Sequence, residues 1–307
     1  MTSGYVKAAP PGAPDIAGLE PIARLKSRWP AYLGIVLTIA MVALLSYKLF
    51  GSGFEALADK FPTDPRYYIA FALLYLSLPT GDFVIFQKLW SIPIGGLAAL
   101  IKKRIANETL VTYAGETYFY TWARTHAKMV TAPFGAVKDV SILSAIAGNA
   151  MTMALIALAL PFGHALLTAA QLRTVLGSIA IVFAMSLPFL LLSKKVFSLP
   201  RRTLWWIFMI HCLRLTAGSV LIAFAWHFAL PGVSIAIWLF LAAARLLVSR
   251  LPLVPNKDLL FANFAIFVIG PDAPLSDLMA FTAGLTLVVH IVLIAIFSLY
   301  GVVRKRL

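Results

Sequence analysis

The chain has 307 residues, 61% of them hydrophobic and only 12% charged, with a formal net charge of +14. A soluble globular domain carries about a quarter charged residues, and a transmembrane β-barrel alternates apolar and polar positions over about 10 residues, so long continuous apolar runs exclude both. The bases flank those runs instead of clustering on a soluble module, which points to membrane topology and excludes nucleic acid as a partner.

In chain order, residues 1–30 are Ala/Pro/Gly-rich and end in Arg24, Lys26 and Arg28, a composition expected of a disordered cytoplasmic tail. Residues 31–303 form a single polytopic membrane domain. Its first run, 31–50, is too long for the apolar core of a signal peptide and lacks a small-residue cleavage site, so it stays as a membrane helix. Residues 51–66, with Glu55, Asp59 and Asp64, form an external loop, and 67–87 return inward. Pro79 and Gly81 sit beside Asp82 in that second helix, so a kink is expected next to an intramembrane carboxylate.

Residues 102–128 lie between apolar segments without being one. The 18 residues from 105 to 122 are interrupted by Glu108, Gly115 and Glu116, and a spanning helix needs roughly 20 apolar residues, so a re-entrant segment opening inward is expected. Such a segment survives only where protein or water satisfies its backbone, which implies a buried or wet cavity. Residues 139–160 cross outward and 174–193 return, after which Lys194, Lys195, Arg201 and Arg202 mark the cytoplasm. Residues 204–230 cross outward again, carrying His211 and Arg214 on one helix face. Within 234–270, Pro252 and Pro255 stop a helix, giving half-helices at 235–249 and 259–270 that enter from outside. Residues 277–300 run inward, and Arg304, Lys305 and Arg306 end the chain.

On this topology, 18 of the 26 bases face the cytoplasm, among them all seven between Lys88 and Lys138, and three are external. That bias places both termini inside the bacterial inner membrane. The expected fold is an all-α integral membrane protein of about six transmembrane helices plus two re-entrant segments, with repeats at 31–160 and 174–300 of opposite orientation. Broken segments at matching positions of an inverted repeat point to a transport site at the repeat interface. Trp90, Trp205, Trp206 and Trp226 fall near expected helix ends, where an aromatic belt forms.

Intramembrane charge is costly, about 2.5 to 3.5 kcal/mol per residue on insertion scales, and marks working or paired positions. The charges concerned are Asp82, Glu108, Glu116, Arg214, Arg245, Arg250, Lys257 and Asp258. In the second half, four bases face one acid, which favours an anionic ligand, and a guanidinium fork suits phosphate. Glu116, Arg214, Arg245, Arg250 and Lys257 are the expected substrate-binding residues. Asp82, Glu116, Asp258 and His290 are the coupling or gating candidates, His290 because imidazole titrates near neutral pH. Cys212 is the single cysteine, so no disulfide or thiolate metal cluster is expected. Gly-rich phosphate loops, nucleophile elbows and zinc-spaced ligand sets are absent, so neither catalysis, cofactor nor metal is expected. Asn107-Glu108-Thr109 fits a glycosylation acceptor, but at the inner face the match is accidental.

Gly115-Glu116 after a basic, Asn107-containing approach, and Leu251-Pro252-Leu253-Val254-Pro255 after an Arg-bearing helix, resemble the lysylphosphatidylglycerol synthase transmembrane-region family, a flippase-like membrane domain. The likeness of layout covers residues 31–303. It implies movement or handling of anionic, phospho- or polyprenyl-linked lipids. The chain departs from the family at Asn256-Lys257-Asp258-Leu259 and Ala262, where Gly-Gly-x-Gly and a Glu are common, and at Phe119, where an Arg is common. Only seven residues follow Tyr300, so no aminoacylating soluble domain is expected. The expected function is a flippase for a membrane lipid with an anionic head group. The alternatives are a non-catalytic partner of envelope-biosynthesis proteins in a glycolipid, hopanoid or polysaccharide pathway, or a lipid-modifying membrane enzyme.

Overall fold

A computed structural model describes residues 61–109, 114–126, 133–163, 197–250, 256–269 and 274–306, with single positions at 39, 43, 173, 177, 180 and 184. The expected tail at 1–30 and the expected crossings at 31–50 and 174–193 lie outside the described residues, apart from five of those single positions. The described elements are α1 (Pro65–Trp90), α2 (Gly96–Thr109), α3 (Ala114–His126), α4 (Pro133–Gly163), α5 (Arg201–Ala229), α6 (Ile235–Val248), α7 (Lys257–Ile269) and α8 (Pro274–Arg306). No strand occurs among the described residues.

Helix α1 starts where Pro65 takes a first-turn position that needs no amide hydrogen, and Asp64 caps it by accepting the Arg66 amide at 2.8 Å. Hydrogen bonds from the Arg66 side chain, and then its amide, hold the Asp64 carboxyl below the usual carboxylate range. The helix ends at Ser91, whose φ of 49° lets its amide return to the Gln87 carbonyl.

Helix lengths run 26, 14, 13 and 31 residues for α1 to α4, then 29, 14, 13 and 33 for α5 to α8. The order long, short, short, long therefore occurs twice. A helix of 13 or 14 residues extends only about 20 Å, less than the ~30 Å of a bilayer's hydrocarbon core, so no short helix crosses alone. Helices α1 and α5 pack antiparallel. Lys88 lies over the Trp206 ring near one end of the pair, Gly81 abuts Arg214 in the middle, and Arg66 lies over Phe228 at the other end.

The two short pairs sit at opposite ends of α1 and α5. In the first, Phe119 of α3 packs on Phe86 and Trp90 of α1. In the second, Trp238 of α6 and Phe261 of α7 pack on Trp226 of α5. Each pair anchors its own apolar cluster, one around Phe86, Phe119, Val140 and Ile207, the other around Tyr67, Trp226, Trp238 and Met279. The pairs then reach toward each other, and the Asn256 amide donates to the Glu108 carbonyl at 2.9 Å.

Among the described residues three helices are long and apolar enough to cross a membrane: α1, α5 and the Pro274–Tyr300 part of α8. They expose large apolar side chains outward, including Ile69, Leu73, Leu213, Val288 and Leu299. By length and composition the chain is a helical membrane protein. These three match the expected crossings at 67–87, 204–230 and 277–300. The count of six is corrected, since the described residues supply three, and 139–160 falls inside α4, which is not among them.

The expected re-entrant at 105–122 is corrected as well. It is two helices, and the first begins at Gly96, because Lys103 and Arg104 do not end the buried segment; paired with acceptors, they are carried into it. The second pair follows the expected half-helices at 235–249 and 259–270 within two residues. Trp226 is also corrected: it is buried and donates to the Thr282 hydroxyl at 3.3 Å, so it belongs to the core and to no interfacial belt.

Gly115 shows how closely α2 and α3 approach. Its amide donates to the Asn107 side chain at 2.7 Å, and an added Cβ would collide with the Lys103 carbonyl oxygen. Gly115→Ala should therefore lower stability by about 1 to 3 kcal/mol through overpacking. Gly95→Ala, whose Cβ meets nothing within 4 Å, should stay within about 0.5 kcal/mol of the parent. Thermal unfolding of the two variants in detergent checks this, and equal stability would show that the contact is slack.

Candidate functional site

Between the two apolar clusters lies a cavity of about 360 Å³. Its walls include Leu74 to Asp82 of α1 and Arg214 to Ile222 of α5, stretches near the middle of both helices. The tips of both short pairs close it through Glu108, Ser249, Arg250 and Asn256. A polar chamber halfway along two membrane-length helices is the wet or protein-satisfied pocket that broken helices require.

Of the expected site residues, Asp82, Glu116, Arg214, Arg245, Arg250, Lys257 and Asp258 all line this cavity. His290 does not line it. The ring is buried behind the wall, with Nε2 3.2 Å from Glu108 Oε2 and its face 5.6 Å from the Tyr75 ring. The cavity also holds two bases that sequence reasoning assigned to the cytoplasm. Lys103 and Arg104 are 7% and 8% exposed, which corrects the expected cytoplasmic count between Lys88 and Lys138.

The carboxylates are shared among few partners. Lys103 Nζ lies 2.8 Å from Asp82 and 3.5 Å from Glu116, so one ammonium serves two acids from α1 and α3. Arg104 Nε meets Glu108 Oε1 at 2.8 Å, donates to the Tyr75 carbonyl, and lies 4.1 Å above the Tyr75 ring. Pairing at i and i+4 keeps the Arg104–Glu108 contact local to α2. Arg245 of α6 reaches Asp258 at the start of α7 at 2.8 Å and so ties the second pair together. Glu116 Oε2 is buried with no hydrogen-bond partner.

The other bases turn to neutral acceptors. Arg214 donates to the Ser144 hydroxyl of α4 at 2.9 Å, and Lys257 donates to the Ser249 carbonyl at 2.8 Å. Arg250 donates to the Ser249 hydroxyl at 2.8 Å and lies so close to Gly148 of α4 that a Cβ there would collide with its guanidinium. Among the described residues, six bases face four carboxylates around one cavity. Such a chamber offers planar guanidinium forks and an ammonium to an oxyanion.

The surplus in the second half was legible from composition. That the first half brings its own two bases was not, because Lys102, Lys103 and Arg104 form a run that positive-inside counting assigns to water. The only available signal was their spacing: Arg104 sits four residues and Lys103 five residues before Glu108 on one short helix.

The chain matches no family model, and no curated protein or solved structure matches it.

The shared ammonium gives an asymmetric prediction. Lys103→Met strands two buried carboxylates and should cost about 3 to 5 kcal/mol, the range for breaking a buried pair. Asp82→Asn leaves Lys103 beside Glu116 and should cost clearly less. Unfolding temperatures of the two purified variants decide it, and equal losses would mean that Glu116 does not use Lys103.

Proposed function

We propose that this chain is a flippase-like protein of the bacterial inner membrane that takes the head group of an anionic, phospho- or polyprenyl-linked lipid into the central cavity and moves it between leaflets. The observation that carries this reading is the cavity itself, where two pairs of half-length helices from opposite ends meet and six bases face four carboxylates. The resemblance of Gly115-Glu116 and of the Pro252 and Pro255 break to the lysylphosphatidylglycerol synthase transmembrane region supports the same lipid class. The repeated order of long and short helices, with α1 and α5 antiparallel, fits an inverted-topology repeat, in which rocking of one half about a fixed site gives alternating access.

In this reading Arg214, Arg250 and Lys257 grip phosphate oxygens, and Arg245 keeps the second pair closed through Asp258. Glu116, Asp82, Asp258 and His290 serve coupling or gating, with the Glu108–His290 contact joining the cavity wall to α8. The volume suits a head group alone, so the acyl or prenyl chains stay outside, along the apolar faces that α1, α5 and α8 expose. Both termini in the cytoplasm complete the proposed topology.

A second reading is favoured by the three ion pairs at 2.8 Å. The charges would then hold helices together in a non-catalytic partner of glycolipid, hopanoid or envelope-polysaccharide enzymes. Vesicles containing the purified protein and fluorescent phosphatidylglycerol separate the two. Transport predicts leaflet exchange faster than in protein-free vesicles, reduced roughly tenfold or more, about 1.4 kcal/mol, in Glu116→Gln and Arg250→Gln at unchanged folded yield. Exchange no faster than in empty vesicles favours the partner, and a new lipid species would indicate an enzyme.

A further inference from the structure

The charge balance of the cavity says more than that its ligand is an anion. Among the described residues, Lys103, Arg104, Arg214, Arg245, Arg250 and Lys257 line it together with Asp82, Glu108, Glu116 and Asp258, leaving two positive charges in excess. That excess does not depend on how the groups pair. Its location is partly fixed, because no carboxylate of the described residues lies within 4 Å of Arg214 or Lys257, whereas Lys103, Arg104 and Arg245 each have one. Arg214 is also more than nine-tenths buried, and its Nε has no hydrogen-bond partner. A buried donor left bare beside a cavity is the feature a ligand atom completes.

Resting on the reading of the cavity as a head-group site, we infer that it is matched to a doubly charged phosphate, a phosphomonoester or a diphosphate, in preference to the singly charged phosphodiester of ordinary membrane lipids. Uncompensated charge in a site walled by Leu74, Leu78, Leu215 and Ile222 is costly, so the ligand that neutralises the whole excess binds best. A phosphomonoester carries close to two negative charges above its second ionisation near pH 6 and offers three equivalent oxygens. A phosphodiester carries one charge and leaves half of the excess standing. Arg214, from α5, and Lys257, from the start of α7, approach the cavity from different elements and so can divide those oxygens between them.

Lys257 is the residue to change. Arg214 is packed on Gly81, where an added Cβ would lie 2.6 Å from its Cδ, so its replacement risks the fold. Lys257 is only partly buried, at a helix start, and is removable at less risk.

The experiment measures displacement of fluorescent phosphatidic acid from the purified full-length protein in neutral detergent at pH 7, using phosphatidic acid, phosphatidylglycerol and soluble glycerol phosphate as competitors. We expect phosphatidic acid to bind about tenfold or more tightly than phosphatidylglycerol. In Lys257→Gln the ratio should fall to about threefold or less, because the monoester loses more affinity than the diester. Glycerol phosphate should compete at least about a hundredfold more weakly, because it lacks the chains that lie along the helices. Competition as strong as that of the lipid would assign the site to a water-soluble ester and overturn the lipid assignment. Equal binding of the two lipids in the parent protein would overturn the charge matching while leaving the anionic-lipid reading intact. Binding of neither lipid would overturn both. An unchanged ratio in Lys257→Gln, with unfolding temperature at the parent value, would overturn the role of Lys257 in selecting the dianion.

Discussion

A helix that stops at mid-depth in an apolar layer leaves amides at one end and carbonyls at the other without partners, and lipid supplies none. Most of what is unusual in this protein answers that constraint. The end of α6 is met by Lys257, whose ammonium takes the Ser249 carbonyl, and the start of α3 is met by Asn107, whose side-chain oxygen accepts the Gly115 amide. Inside α1, Pro79 has no amide hydrogen to give the Tyr75 carbonyl, and Arg104 donates to it instead. Where the tips meet, each half supplies the other: the Asn256 amide donates to the Glu108 carbonyl. Asn256 does so from a left-handed backbone, φ 46°, which asparagine tolerates better than most residues.

Polar groups recruited to satisfy backbone bring charges with them, and these charges must then be balanced. The structure divides them into two groups by partner. Lys103, Arg104 and Arg245 are held by carboxylates at 2.8 Å and knit α1 to α2, α2 to itself and α6 to α7. Their arrangement suits support, since a buried ion pair seldom adds stability but strongly penalises its own disruption. Arg214 and Lys257 rest on a hydroxyl and a carbonyl, weaker partners that an oxyanion displaces at lower cost. The same cavity thus carries its own scaffold and a surplus beyond it.

The long helices and the second short pair were legible because their signals are local: continuous apolar runs for α1, α5 and α8, and Pro252 with Pro255 for the break between α6 and α7. The charges of the second half were legible for the same reason, since Arg214, Arg245, Arg250 and Lys257 stand out against apolar neighbours. The first short pair was not. Helix α2 buries Lys103 and Arg104 among residues that composition assigns to water; Asp82 from α1 and Glu116 from α3 make the burial of Lys103 tolerable, and Glu108 with the Tyr75 carbonyl that of Arg104. Trp226 misled in the opposite sense. Its place near a helix end resembles an interfacial residue, but Trp238 and Phe261 from the second short pair cover it, and a sequence does not reveal what covers a surface.

Glu108 carries the last step. It sits in the final turn of α2, where the partial negative charge of the helix end opposes a carboxylate, so it is the acid least supported by its own helix. Arg104 donates to one of its oxygens, His290 Nε2 lies 3.2 Å from the other, and its backbone carbonyl accepts from the Asn256 amide of the opposite pair. One residue therefore touches α8 through its side chain, the second half's tip through its backbone, and the cavity through its position in the wall. In the proposed transport, relative movement of the two halves has to part the Asn256 contact, and parting it uncovers a carbonyl at mid-depth that needs a new donor. Water admitted from one side, or a ligand hydroxyl, meets that need. In that reading the opening of the cavity and the arrival of what fills it are linked by the same unsatisfied oxygen.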